Sequence, residues 1–282
     1  ESLIKESADT MVRDGFLDAG YNYILIDDCW ALPERENGTL HVDSTRFPSG
    51  FESLTQYVHD KGMKIGIYTS VGSKTCAGFA GSLNHEAQDA KQFYDWGFDF
   101  VKHDTCVQSD NCSVHNGCIQ EATRRMRDAL YEVSSGEIFY YLDSGNPTNE
   151  MKVYNPKGHH LDDGVTPKCV AQNAEELSWR WATSLGNVSG RGPHMIKSMW
   201  DIKDTYESMM LNVHSLIRTA PYQECAQWLN PDMLTVGMGG QTLGMYRTQF
   251  YYWVILGTPL LLSNDIRNMK TSDRNLVLNS EA

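Results

Sequence analysis

The 282-residue chain carries 24 Lys and Arg against 36 Asp and Glu, a formal net charge of −12, and is 41% hydrophobic and 11% aromatic. That is enough large apolar side chain to core one large domain or two ordinary ones, while the acidic surface repels a phosphate backbone and excludes nucleic acid as a partner. The longest apolar run, Phe250 to Leu262, is broken by Gly257 and Pro259 and falls short of the roughly 20 residues that cross a bilayer, so no membrane partner is expected.

The chain opens on "ESLIKESADTMVRDGFLDAG", helical in character, with no Met and no signal-type apolar core, and is expected to be truncated in front. "YNYILID" (21–27) predicts a strand. Leu54, Tyr57 and Val58 at helical spacing, stopped by Gly62, predict a helix. "KIGIYT" (64–69) predicts a strand, "AQDAKQFYDWG" (87–97) a helix, "FDFVKHD" (98–104) a strand and "CIQEATRRMRDALYEV" (118–133) a helix. "EIFYYLD" (137–143) follows as a strand and "NAEELSWRWATSL" (173–185) as a helix. "MIKSMWD" (195–201), "DMLTVG" (232–237) and "GTPLLLS" (257–263) predict strands, separated by helices over 204–217 and 245–256. This alternation implies a parallel sheet. With a first helix that no strand precedes, it predicts an α/β chain with a (β/α)8 TIM barrel lacking its first strand. A doubly wound open sheet is the alternative, but no Gly-rich phosphate loop follows an early strand.

The seven cysteines contain no tight pair of CxxC motifs, which argues against structural zinc. Sequons at Asn37, Asn111 and Asn187 together with those cysteines favour an oxidising, secretory route.

The run "WGFDFVKHDTC" (96–106) places Lys102 and Asp104 on one face of a strand end. They are either a mutually satisfied ion pair or the floor of an active site. The other predicted strand ends carry Asp27 and Asp28, Tyr68, Asp143, Asp201 and Asp232. Asp is a good cap and turn residue, yet so many acids at strand ends point to a metal site or to glycoside chemistry. Lys102 would disfavour a cation, and no HxH or HxxxE pattern lies at a strand end. Glycoside hydrolysis needs two carboxyl groups in different roles, with aromatic faces such as Trp30, Tyr68 and Trp200 for sugar rings.

The segments "YNYILIDDCW", "MKIGIYTSVGSKTCAGFAGS", "DWGFDFVKHDTC", "DIKDTY", "PDML" and "TPLLLSNDIR" resemble the glycoside hydrolase family of α-galactosidases and α-N-acetylgalactosaminidases. The resemblance covers nearly the whole chain except about 143–194. It implies a barrel followed by a small antiparallel β domain. The present chain, 1–282, would then be a single catalytic barrel domain truncated at both ends. It implies Asp104 as nucleophile and Asp201 as general acid/base. Asp27, Asp28, Tyr68, Lys102, Asp232 and Met233 become sugar contacts, and Asp143, which ends the strand beside them, is expected among the substrate-binding residues too. It further implies a Cys76–Cys106 disulfide, a partner for Cys29 in front of the chain, and no cofactor. A local Cys112–Cys118 bridge is compatible with their spacing.

Two departures stand out. Lys197 replaces the family's Arg four residues before the acid/base, exchanging a planar fork for a point charge near the sugar's 2-position. The loop "YYLDSGNPTNE" matches neither family version that separates galactose from N-acetylgalactosamine. The expected ionisation is a low pKa at Asp104, from the adjacent ammonium, and a raised one at Asp201. The expected function is a retaining exo-α-galactosidase acting on an α-galactoside oligosaccharide or glycoconjugate. It would be secreted or lysosomal/vacuolar, with a homodimer allowed. An α-N-acetylgalactosaminidase or a hydrolase of another α-sugar is the alternative, and a catalytically inactive carbohydrate-binding barrel is the alternative of another class.

Overall fold

A computed structural model of the chain describes residues 1–107, 112, 117–143, 193–197, 201–220 and 227–280. Six parallel strands form one sheet in chain order: β1 (Tyr23–Ile26), β2 (Lys64–Ser70), β3 (Phe100–Asp104), β4 (Phe139–Asp143), β5 (Met195–Lys197) and β6 (Trp228–Asn230). The helices that alternate with them are α1 (Ser2–Arg13), α2 (Gly50–His59), α3 (Glu86–Asp95), α4 (Cys118–Ser134), α5 (Tyr206–Thr219), α6 (Leu243–Ile255) and α7 (Thr271–Val277). The helix predicted over 173–185 lies outside the described residues.

The two faces of the sheet are both apolar, as a parallel sheet requires. Ile24, Ile26, Ile65, Ile67, Val101 and Tyr140 pack outward into the main core against Phe51, Leu54, Phe93, Met126, Phe250 and Trp253 of the helices. The opposite face gathers Tyr23, Leu25, Phe100, Phe139, Tyr141 and Met195. There Phe100 and Phe139 stack at 5.0 Å. Gly66 lies on this inner face for a steric reason: a Cβ would sit 2.4 Å from Leu25 Cδ2 and 2.9 Å from Phe100 Cδ1.

Two expectations change. "DMLTVG" is not a strand. The sixth strand comes earlier, at Trp228–Asn230, and Pro231 cannot extend it because it has no N–H to donate. Asp232 then takes φ 84°, which breaks the extended conformation. What remains of 232–237 and 257–263 is one parallel bridge, Leu234 to Leu262, with Leu234 N–H donating to the Leu261 carbonyl at 2.6 Å.

The helices also brace the loop after β6. Asn212 of α5 donates to the Pro231 carbonyl at 2.7 Å, and the Trp253 indole of α6 donates to the Asp232 carbonyl at 2.9 Å. Both donors are buried, so the unusual backbone at Asp232 is held from two sides.

Gly66→Ala should overpack the inner face and cost about 1–3 kcal/mol, read as a lower thermal midpoint with the secondary structure retained. An unchanged midpoint would mean that Leu25 and Phe100 move aside freely.

Candidate active site

The register of the sheet draws one row across the carboxyl ends of the strands: Ser70, Asp104, Asp143, Lys197 and Asn230. A second row two residues back holds Tyr68, Lys102 and Tyr141. Side chains two apart share a face, so Lys102 and Asp104 continue the inner face that Phe100 occupies. The carboxylates therefore crown the apolar inner cluster, and the loops after β1, β5 and β6 add Asp27, Asp28, Asp201 and Asp232.

Two ammoniums bind these acids together. Lys102 Nζ lies 2.9 Å from Asp27 Oδ2, 3.6 Å from Asp143 Oδ2 and 5.2 Å from the Tyr68 ring centroid. Lys197 Nζ lies 3.3 Å from Asp143 Oδ2 and 3.2 Å from Asp232 Oδ2, and also pairs with Asp201. Lys197, Asp143 and Asp232 are buried, whereas the Asp201 side chain is 95% exposed. Burial opposes the charge on each lysine, but the carboxylates outweigh it: Asp143 and Asp27 for Lys102, Asp143 and Asp232 for Lys197. Both ammoniums stay protonated at every ordinary pH.

Asp104 has a separate set of neighbours. Tyr68 donates its hydroxyl to Oδ2 at 2.9 Å, and the Thr105 N–H donates to Oδ1 at 2.7 Å. Cys76 and Cys106 are bonded, with Cα atoms 5.2 Å apart, and Cys76 Sγ lies 3.6 Å from Oδ2. Burial and the Asp143 charge push the Asp104 carboxyl up to about 7, against the pull of Lys102, Lys197 and the Tyr68 hydroxyl. Burial also raises Tyr68, with Asp104 adding to it, so its hydroxyl remains a donor. At Asp201, partial desolvation by the surrounding groups is outweighed by the Lys197 ammonium that pairs with it, and the carboxyl is held below its usual range.

The expected ionisation order is thus reversed. Adjacency in sequence suggested that Lys102 would serve Asp104. The fold instead delivers its ammonium to Asp27 and Asp143, and gives the second lysine to Asp201.

The remaining predicted residues fall as follows. Asp28 accepts from the Cys29 and Ala77 N–H groups at 2.6 and 2.9 Å. Asp232 accepts from the Ile202 and Met233 N–H groups at 2.8 and 2.7 Å, and its own N–H donates to Asn230 Oδ1. Trp30 is not a sugar platform: it is 3% exposed, packs on Phe51, Phe93 and Trp96, and donates its indole N–H to the Tyr68 carbonyl. Trp200 lies outside the described residues, as do Cys169 and Cys225. Cys112 and Cys118 are bonded, and Cys29 is unbonded among the described residues.

Asn230 was not anticipated. It is fully buried, donates to the Tyr141 hydroxyl at 3.2 Å and receives the Asp232 N–H. Its only signal in the sequence is an amide placed one residue before the Pro-Asp pair.

Cys76, Asp104 and Cys106 bring three potential ligand atoms within 4.8 Å of one another. Both sulfurs are consumed in the disulfide and cannot ligate as thiolates, and the two ammoniums among the acids repel a cation. The donor set suits polar recognition and proton transfer better than a cation.

Carboxyl groups gathered at the carboxyl ends of parallel strands stand where barrel enzymes hold their active sites. The family model for Alpha galactosidase A matches residues 1–157 and 187–282, and the chain belongs to that family. Alpha-galactosidase mel1 of Schizosaccharomyces pombe is 34% identical over 299 residues, and Alpha-galactosidase 2 of Arabidopsis thaliana is 35% identical over 283. Each alignment takes in 100% of this chain, which spans 62% and 61% of those proteins. The crystal structure of alpha-galactosidase I from Mortierella vinacea superposes with a TM-score of 0.80 at 26% identity, over 99% of this chain and 66% of that one. The architecture is therefore that of the α-galactosidase TIM-barrel enzymes.

The raised Asp104 pKa has a consequence for stability. Between about pH 4 and 7 the folded chain keeps a proton that an unfolded carboxyl has already released, so stability falls as pH rises through that window. Asp104→Asn should be more resistant to urea than the wild type at about pH 8, and the gap should close by about pH 4. A gap of the same size at both pH values would contradict the assignment.

Proposed function

We propose that the protein carrying this chain is a retaining exo-glycosidase that removes terminal α-linked galactose. Two carboxyls support this reading above all. Asp104 is partly buried on the inner face of the strand ends, while Asp201 stands open to solvent at the rim, where a leaving group departs. Family membership supplies the reaction class, and the chain spans only part of its relatives' length.

In this mechanism Asp104 attacks the anomeric carbon as the glycosidic C–O bond breaks, and Asp201 gives its proton to the departing oxygen. Water, deprotonated by Asp201, then displaces Asp104. Two inversions retain the configuration. Asp104 must first lose the proton that burial and the Asp143 charge hold on it, and Asp201 must gain one that Lys197 disfavours, so the net change is one proton passed from Asp104 to Asp201. A sugar hydroxyl that accepts from Lys197 draws the ammonium off Asp201 and raises its proton affinity. Asp27 and Lys102 at the rim of β1 and β3 are placed to take further hydroxyls. Asp232 and Met233 act as a braced loop wall rather than through a free carboxylate.

Lys197, in place of the Arg the resemblance implies, favours one alternative within the family. A point charge reads a 2-hydroxyl and a 2-acetamido group with less discrimination than a planar fork, so α-N-acetylgalactosaminidase activity is the second reading. The secretory location, the single barrel domain over 1–282 and a homodimer complete the proposal. The bonded cysteine pairs support the first of these.

A panel of aryl α-glycosides on the intact protein tests the reading, with galactoside turned over fastest. Asp104→Asn should abolish turnover. Asp201→Asn should spare substrates with good leaving groups by a factor of about 100 or more relative to natural galactosides, because they need little protonation. Equal losses on both kinds of substrate would remove Asp201 from its role, and turnover of no glycoside at all would leave a binding barrel.

A further inference from the structure

Asp143 ends β4 and is 4% exposed. It stands in register with Asp104 of β3 on one side and Lys197 of β5 on the other. Neighbouring strands are about 4.8 Å apart, so all three side chains meet on the inner face. A single oxygen, Asp143 Oδ2, lies 3.6 Å from the Lys102 ammonium and 3.3 Å from the Lys197 ammonium. The two ammoniums repel each other, and the carboxylate between them lets both remain charged at low exposure. Little of that carboxylate is left to meet a sugar, although the sequence pattern groups Asp143 with the sugar-binding residues.

Taking Asp104 as the attacking carboxyl, we infer that Asp143 is a positioning residue that holds Lys102 and Lys197 on itself and thereby withholds both ammoniums from Asp104. Among the described residues, the charged and titratable groups facing this pair come from every neighbouring element. Tyr68 comes from β2, Lys102 from β3, Tyr141 from β4 and Lys197 from β5. Asp27 and Asp28 follow β1, and Asp201 and Asp232 lie in the loops after β5 and β6. Asp143 differs from the others in being beside Asp104 in register and in contact with both ammoniums. Its charge acts on Asp104 twice, by direct repulsion and by diverting the attraction that would offset it. The direction of the Asp104 titration agrees with both effects.

The test is the pH dependence of kcat/KM for an aryl α-galactoside, joined to carboxyl titration by NMR of the intact protein carrying 13C-labelled aspartate. Asp104→Asn assigns the Asp104 resonance. Asp143→Asn should move the limb that lies near pH 7, and the Asp104 midpoint, about one pH unit or more toward acid. Asp143→Glu, which keeps the charge, should leave the limb near the wild-type position while KM rises. A uniform loss of kcat/KM at every pH, with the limb and the resonance unmoved, would reduce Asp143 to a structural or substrate-holding group and overturn the inference. If Asp143→Asn does not fold, the wild type still decides. The Asp104 carboxyl must titrate well above the ordinary carboxylate range, and a midpoint within that range would refute the idea. If the protein hydrolyses no α-glycoside yet the Asp104 midpoint still moves in Asp143→Asn, the positioning stands and the functional reading fails instead.

Discussion

Among the described residues, six carboxylates share two ammoniums at the carboxyl ends of the strands, and that shortage of positive charge governs the rest of the site. Lys102 and Lys197 cannot satisfy Asp27, Asp28, Asp104, Asp143, Asp201 and Asp232 together. Backbone N–H groups take up part of the deficit, at Asp28 through Cys29 and Ala77 and at Asp232 through Ile202 and Met233. Asp104 obtains a tyrosine hydroxyl and one N–H group, with neither ammonium in contact, and burial and the Asp143 charge make it retain its proton to higher pH than an ordinary carboxyl. In a site of low dielectric such differences decide which carboxyl is proton-bearing and which is anionic.

The framework exists to keep those charges in place. Strand register fixes Asp104, Asp143 and Lys197 as neighbours, and the apolar cluster of Tyr23, Leu25, Phe100, Phe139 and Tyr141 closes the inner face beneath them. Gly66 admits that packing where a methyl group would collide. Helices α5 and α6 do more than cover the sheet, since Asn212 and Trp253 reach through to the carbonyls of Pro231 and Asp232. A core helix contact and a site contact are there the same contact.

The first four strands were legible because each is an apolar run ending in a polar or turn-forming residue, and the helices between them carry a clear apolar period. Trp228–Asn230 was not legible: three residues are too short for a period, and the more apolar "MLTVG" drew the assignment forward past Pro231 and Asp232. Asp27, Asp104, Asp143 and Asp232 could be picked out as strand-end acids. Their ionisation could not, because it depends on which acid each lysine reaches. Lys102 reaches Asp27 across 75 positions and Lys197 reaches Asp143 across 54, and local sequence holds no trace of either pairing. Trp30 misled for the same reason, since an aromatic next to two acids looks like a platform until the fold turns it into the core.

The central claim is that Asp104 and Asp201 act from opposite faces of an α-linked sugar, one as the nucleophile and the other as the acid and then the base. Following hydrolysis of an aryl α-galactoside by 1H NMR in the first minutes, before mutarotation, reads that claim directly. The account predicts that α-galactose appears first and the β-anomer grows in later. Initial release of β-galactose would mean a single displacement by water, and Asp104 could not then be a nucleophile.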